Sequence, residues 1–383
     1  MQGAKVGLDR CIQLLKDLVG VDSVNPSLVI GAAGEQHIAR VLTASIQGGI
    51  GLRVREQIVA PGRPNIVAEL DGAAPGRSLM FCGHVDTVGV AGMTNPFSGE
   101  ERVGRIYGRG SQDMKSGVAA MIDAARVIVE SGGLAAGKLI LACVVDEEHA
   151  SIGADALVTK WRADGAVVTE PTDLQVAVAH KGFEWVEIET EGRAAHGSRP
   201  REGRDAIRYM GRVLNGLDAV DRQLQSRPPH ALLGTASLHA SLIEGGRELS
   251  SYPDRCHLQM ERRTLPGEAP GSGAREVEDL LAKLRGEDPD FKAASKVMFA
   301  RTPYEVTSDH ELPKAMLRAA GSTLAPIGMS FWTDAAILGD AGIPSILYGP
   351  MGAGLHSTEE WVNIQSVLKC RDALVELARD WCR

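Results

Sequence analysis

The segment Gly83-His84-Val85-Asp86-Thr87 sets an imidazole and a carboxylate two residues apart, directly after the apolar run Leu79-Met80-Phe81-Cys82. Asp113, the pair Glu147-Glu148, Glu170 and His356 follow, each at the edge of an apolar segment. Two imidazoles with several carboxylates form a donor set suited to one or two zinc ions. A lone H-x-D is weak, because a histidine at a strand end also packs or caps. Asp113 closes the glycine-rich turn Gly108-Arg109-Gly110-Ser111-Gln112-Asp113, where glycine lets backbone approach a site closely. Capping of the following helix is its plainer role. The turn lacks the spacing of a phosphate loop or a dinucleotide fingerprint. Asp146-Glu147-Glu148 places three acids together after an apolar run, where a cation would offset their repulsion. Adjacent glutamates point in different directions, so one can hold metal while the other handles a proton. An exposed acidic loop is the plain alternative.

Such residues need a scaffold that gathers strand ends. Strands are predicted at 65–70, 78–82, 138–145 and 165–169, and helices at 34–46, 114–129 and 152–160. This alternation predicts an α/β sheet with helices on its faces. Ligands in such sheets bind beyond the carboxyl ends of the strands. Near Val176 the pattern changes. Residues 184–191 alternate apolar and polar, 205–224 read as an amphipathic helix, and 274–285 as a second helix. Residues 236–243 and 255–263 are further strands, the second with Cys256, Leu258 and Met260 on one face. This α+β block has the size of an inserted domain. The α/β pattern returns after Ala300, with a buried strand at 345–348 and a closing helix at 364–379. The expected division is therefore 1–176 with 299–383 for one domain and 177–298 for the other.

The chain has 383 residues, enough for two cored domains, and is 44% hydrophobic and 23% charged with a net charge of −8. That balance argues against nucleic-acid binding. No apolar run approaches the roughly 20 residues that span a bilayer, so no membrane role is expected. Leu8, Cys11, Ile12, Leu15, Leu18 and Val19 follow helical spacing, which reads as an amphipathic helix rather than a signal peptide. Cys11, Cys82, Cys143, Cys256, Cys370 and Cys382 show no paired spacing. Buried reduced thiols and a cytoplasmic location are the expectation.

The series GHVDTV, GRGSQDMKSG, DEE, TEP, AAHGSRP, ERRTLPGE and YGPMGAGLHSTEEW, in that order along nearly the whole chain, resembles a known family. It is similar to the di-zinc amidohydrolases and exopeptidases that include acetylornithine deacetylase, succinyl-diaminopimelate desuccinylase, aminoacylase-1 and the glutamate-releasing carboxypeptidases. The resemblance implies a zinc-exopeptidase-like catalytic domain, a mixed sheet flanked by helices, with an inserted α+β lid and dimerisation domain. His84 and Glu170 would bind one zinc, Glu148 and His356 the second, and Asp113 would bridge them. Asp86 would hydrogen-bond His84 and fix its tautomer. Glu147 would be the general base toward a water activated between the metals. His196 would donate to the oxyanion, reaching a neighbouring subunit's site in a homodimer. Arg263 would grip a substrate carboxylate.

The chain departs from related deacetylases, which tend to carry asparagine where His239 and Ser251 stand. His239 touches substrate or extends the oxyanion network on one reading and is a satisfied polar strand residue on the other. Arg262 alternates to the opposite face from Arg263 and makes a salt bridge or meets solvent. Glu360, four residues after His356, orders its loop. Trp332-Thr333-Asp334 helps shape the substrate pocket. The activity these features imply is hydrolysis of the amide of an N-acyl amino acid with two zinc ions, cobalt or manganese being possible substitutes. A dipeptidase or carboxypeptidase acting on short peptides is the alternative of the same class. A non-catalytic binding homologue is the alternative outside it, although such homologues usually lose a ligand or the base.

Overall fold

The structure is a computed structural model that describes residues 9–383, so the helical position Leu8 lies outside the described residues. The chain forms two compact units. The first runs to Val178 and takes in Val306–Ile327 and Thr333–Arg383, while the second is Ala179–Glu305 with Gly328–Trp332.

Four parallel strands form the centre of the first unit, in the order Lys138–Val144, Ser78–His84, Ala166–Val168, Ser345–Leu347. Two antiparallel strands, Arg63–Asp71 and Val54–Ala60, extend the sheet beyond Lys138–Val144. Leu79, Met80, Phe81 and Cys82 are all fully buried. A strand covered on both faces reads as a continuous apolar run, which is why this one was legible. Helix Lys115–Glu130 packs against Ser78–His84 and against helices Ile364–Trp381 and Arg10–Val19. Asp9 caps Arg10–Val19 by accepting from the Cys11 amide at 2.8 Å. Asn363 caps Ile364–Trp381 through the Ser366 amide at 2.9 Å. A smaller sheet contains Glu100–Arg102, Arg105–Tyr107, Trp361–Asn363 and Gly352–Ala353. It anchors the two loops that carry Asp113 and His356.

The second unit is a four-stranded antiparallel sheet in the order Ser237–Gly245, Arg255–Thr264, Gly182–Glu191, Lys292–Arg301. Helices Ala206–Ser226 and Ser272–Glu287 pack on it. Val186, Ile188, Met210, Val213, Cys256, Leu258, Met260 and Leu281 form the core between them. Each large aliphatic side chain buried there contributes about 1.5–3 kcal/mol.

Several elements differ from the sequence expectation, among them helices Glu311–Ala319 and Ala335–Asp340 and the four short strands of the smaller sheet, none of which the apolar pattern predicted. The helix expected at 34–46 is Gln36–Thr43 followed by a wider π turn, Ala44–Gly48. Strands Val54–Ala60 and Lys292–Arg301 were not anticipated. Both lie at sheet edges and expose much of their length, so neither carries a clean apolar alternation. All six cysteines are buried and unpaired. Among the described residues no helix is long and apolar enough to cross a membrane.

Gly117 shows how tightly the site's supports are packed. A Cβ at this position would lie 2.0 Å from the Thr169 carbonyl oxygen. The absence of a side chain lets helix Lys115–Glu130 touch the turn that carries Glu170. Gly117→Ala is expected to destabilise the protein by about 1–3 kcal/mol or more through overpacking. Calorimetry should show a melting temperature lower by about 2–4 °C per kcal/mol; an unchanged melt would refute this contact.

Candidate metal centre

Parallel strands that start at one edge of a sheet finish together at the other. His84 is the last residue of its strand, and Glu147 and Glu148 follow Lys138–Val144. Glu170 follows Ala166–Val168, and His356 comes from the loop after Ser345–Leu347. Asp113 reaches the same place from the turn before helix Lys115–Glu130, where Gly110 has φ +80° and the Asp113–Met114 peptide is cis.

The Asp113 carboxylate divides between the two imidazoles. Its Oδ1 lies 3.0 Å from His84 Nε2 and its Oδ2 lies 3.4 Å from His356 Nε2. Glu170 Oε1 is 3.8 Å and Glu147 Oε2 is 3.9 Å from His84 Nε2. Glu148 Oε2 is 3.1 Å from His356 Nε2. Ligand atoms of His84, Glu147 and Glu170 fall within 4.8 Å of one another, as do those of His84, Asp113 and Glu148. His84 is buried, whereas the His356 side chain is 55% exposed on its loop.

Electrostatics favour a cation here. His84 Nδ1 faces the Asp86 carbonyl oxygen at 3.1 Å, and a carbonyl only accepts. Nδ1 therefore carries the hydrogen, and Nε2 turns its lone pair on Asp113. Two acceptors at that distance repel unless a proton or a metal ion lies between them. Without a metal the proton serves. Burial opposes the imidazolium at His84, yet the hydrogen bond to Asp113 and the charges of Glu170 and Glu147 raise its pKa well above the ordinary value. Hydrogen bonds to Asp113 and Glu148 push His356 up to about 10. Burial raises Glu147, Glu148 and Glu170, with neighbouring carboxylates adding to the effect. Asp113 is lowered despite its burial, because both imidazoles hydrogen-bond it. This crowd of carboxylates and imidazoles fits one or two divalent cations of the zinc kind.

Asp86 sits beside His84, but its bonds differ from those expected. Its backbone carbonyl, not its carboxylate, holds the imidazole; the carboxylate Oδ1 is 3.7 Å from Nδ1. The carboxylate instead accepts from the Glu147 amide at 3.1 Å, the Glu148 amide at 3.2 Å and Asn25 Nδ2 at 2.8 Å. Three donors engage it, so it can hardly follow the imidazole as well.

Glu360 organises the Asp113 turn. Its buried carboxylate accepts from the amides of Gly110, Gln112 and Asp113 at 3.0, 2.8 and 3.0 Å and from Arg109 Nη1 at 2.7 Å. Sequence reasoning missed Arg109 in this role. It also missed Asn25, Glu35, Arg63 and the Asp146 side chain, which form a buried polar group behind the centre. A charged residue at the start of an apolar strand, as in Arg63-Pro64-Asn65, was the one available signal.

His196, His239 and Arg263 belong to the second unit. His196 is exposed, its Nδ1 lies 2.8 Å from Ser198 Oγ, and its backbone bridges to Ser251. His239 is exposed on edge strand Ser237–Gly245, opposite Glu261. Arg263 Nε donates to Glu261 at 2.6 Å, and its guanidinium lies 5.5 Å from the Phe183 ring centre. Phe183 packs in turn with Trp185, Phe299 and Trp332. Arg262 takes the salt-bridge alternative, fully buried between Glu268 at 2.7 Å and Glu276 at 2.9 Å.

Residues 80–380 match the model of peptidase family M20/M25/M40. The chain belongs to this family. As an M20 family hydrolase it has curated relatives of near-equal length. It is 29% identical over 330 residues to an acetylornithine deacetylase of Myxococcus xanthus, covering 83% of this chain and 84% of that one. It is 27% identical over 410 residues to the N-formyl-4-amino-5-aminomethyl-2-methylpyrimidine deformylase of Bacillus subtilis, covering 98% and 95%. The fold matches aminopeptidase PepT from Bacillus cereus with a TM-score of 0.79 at 20% identity, covering 98% of both chains. It also matches the Bacillus subtilis YXEP protein, a dinuclear metal-binding M20 peptidase, with a TM-score of 0.73 at 16% identity over 97% and 98%. The mixed α/β architecture, a central sheet flanked by helices, is shared with these solved structures.

Proposed function

We propose that this M20 hydrolase removes the acyl group from an N-acyl amino acid at a two-metal centre. The observation that carries the reading is the division of the Asp113 carboxylate between His84 and His356. That arrangement suits a bridging ligand. His84 and Glu170 would hold one ion, and Glu148 and His356 the other. Two divalent cations, zinc by donor type with cobalt or manganese as substitutes, would polarise the amide carbonyl and lower the pKa of a water toward about 7. Glu147 takes the proton of the attacking water and returns it to the leaving nitrogen. The Asp86 carbonyl keeps the Nε2 lone pair of His84 turned toward Asp113, where it would be free to hold an ion.

The second unit supplies substrate groups and acts as the lid and dimerisation domain. His196 donates to the tetrahedral oxyanion of a second copy's substrate, so the active form is a homodimer. Arg263 binds the substrate carboxylate, and His239 contacts the substrate beside it. A carboxylate held by Arg263 lies next to the Phe183 aromatic group, which favours an apolar acyl group or side chain. Six buried free thiols suit a reducing compartment such as the cytoplasm.

Assays of zinc-loaded protein on acetylornithine, succinyl-diaminopimelate, apolar N-acyl amino acids and dipeptides test this reading. Deacylation with release of a free amino acid is expected, best for the apolar acyl amino acids. Preference for dipeptides would assign a peptidase instead, and no turnover of any amide would sink the reading. Arg263→Met is expected to lower kcat/KM by about 10- to 100-fold on carboxylates, the worth of a charged hydrogen bond. The corresponding amides should be little affected; an equal loss on both would exclude carboxylate binding.

A further inference from the structure

Asp146 precedes the two glutamates and sits in the left-handed region at φ +70°. Asp tolerates that conformation better than most residues, but something must hold it there. Asp146 Oδ2 accepts from the Ala150 amide at 3.2 Å. Its Oδ1 accepts from Asn25 Nδ2 at 3.0 Å and lies 2.8 Å from Arg63 Nη2. The Asp146 and Arg63 side chains are only 2% and 9% exposed. Arg63 Nε donates to Glu35 at 2.8 Å, a second bond joins Nη2 to the same carboxylate, and Nη1 donates to Ser27 Oγ at 3.1 Å. The guanidinium is thus forked between two buried carboxylates, Glu35 on helix-side backbone and Asp146 at the turn. Asn25 completes the frame, donating to Asp146 and also to Asp86, whose other bonds come from the Glu147 and Glu148 amides.

We propose that Arg63 is a positioning residue for the turn 146–148: by clamping Asp146 it sets the direction in which Glu147 and Glu148 point. The inference rests on the proposed roles of Glu147 as base and Glu148 as ligand. Asp86 holds the turn by its backbone amides, and Arg63 holds it by the Asp146 side chain. A planar fork is required because both carboxylates must be met in fixed geometry. Lysine is a point charge and can serve only one of them well. The competing explanation is that Arg63 only neutralises buried Glu35.

Metal-free protein titrated with cobalt, followed by visible absorption and by cobalt retained after gel filtration, separates these. Arg63→Met should fold with an unchanged circular-dichroism spectrum and bind cobalt about 10- to 100-fold more weakly, the usual effect of losing a group that orients a ligand. Its amides at 147 and 148 should exchange hydrogen faster, and kcat should fall while KM stays within about twofold. Arg63→Lys should recover part of the loss. The double variant Arg63→Met, Glu35→Met removes the stranded carboxylate, so it should regain stability without regaining cobalt affinity. Recovery of cobalt affinity in the double variant would overturn the proposal. So would parent-like affinity and exchange in a folded Arg63→Met protein. If Arg63→Met does not fold, Asp146→Asn decides, since asparagine tolerates the same φ: weakened cobalt binding supports the clamp and parent-like binding overturns it. A parent protein inactive on every amide would defeat the functional reading, yet the cobalt and exchange results would still decide this one.

Discussion

Glu147→Gln is expected to reduce kcat by about 10²- to 10⁴-fold, the range for loss of a positioned general base. Glutamine keeps the volume and one hydrogen-bonding oxygen but cannot take a proton at pH 7. KM and the content of two metal ions should be unchanged. The retained metal is the discriminating readout, because Glu147 Oε2 lies 3.9 Å from His84 Nε2, close enough to suggest ligation as an alternative. Loss of one ion in the variant would make Glu147 a ligand rather than the base, and full activity would refute both roles. Stability offers a further check. Burial and neighbouring carboxylates disfavour the charged form of Glu147. Its neutral replacement should therefore leave the metal-free protein no less stable than the parent, as measured by thermal melting.

Asp113→Ala should have an effect of similar size by a different route. The residue serves both imidazoles, so its loss should weaken both metal positions at once. The fall in affinity should exceed the about 10- to 100-fold seen when only an orienting group is removed. Thermal melts with and without zinc give the cleanest reading. A ligand that binds only the folded state at 100 times its Kd stabilises by about 2.7 kcal/mol per site. The parent should show that metal-dependent gain, and Asp113→Ala should lose most of it. An equal gain in the two proteins would place the metals elsewhere.

Residue type and spacing were enough to nominate His84, Asp113, Glu147, Glu148, Glu170 and His356, because each follows or precedes a buried run. The same local logic found the face of Cys256, Leu258 and Met260, all of which are buried. It failed at Val54–Ala60 and Lys292–Arg301, where edge position removes the periodic burial that pattern reading depends on. Only the tertiary structure decided how polar groups pair across the chain. It gave the His84 ring to the Asp86 carbonyl and the Asp86 carboxylate to the amides of Glu147 and Glu148. It joined Arg63 to Asp146 and Glu360 to the Asp113 turn. Periodicity reports which side chains are buried, since burial repeats with the helix or strand. It holds no record of partners such as Glu360 and Asp113, 247 positions apart, which meet only when the strands are ordered in the sheet.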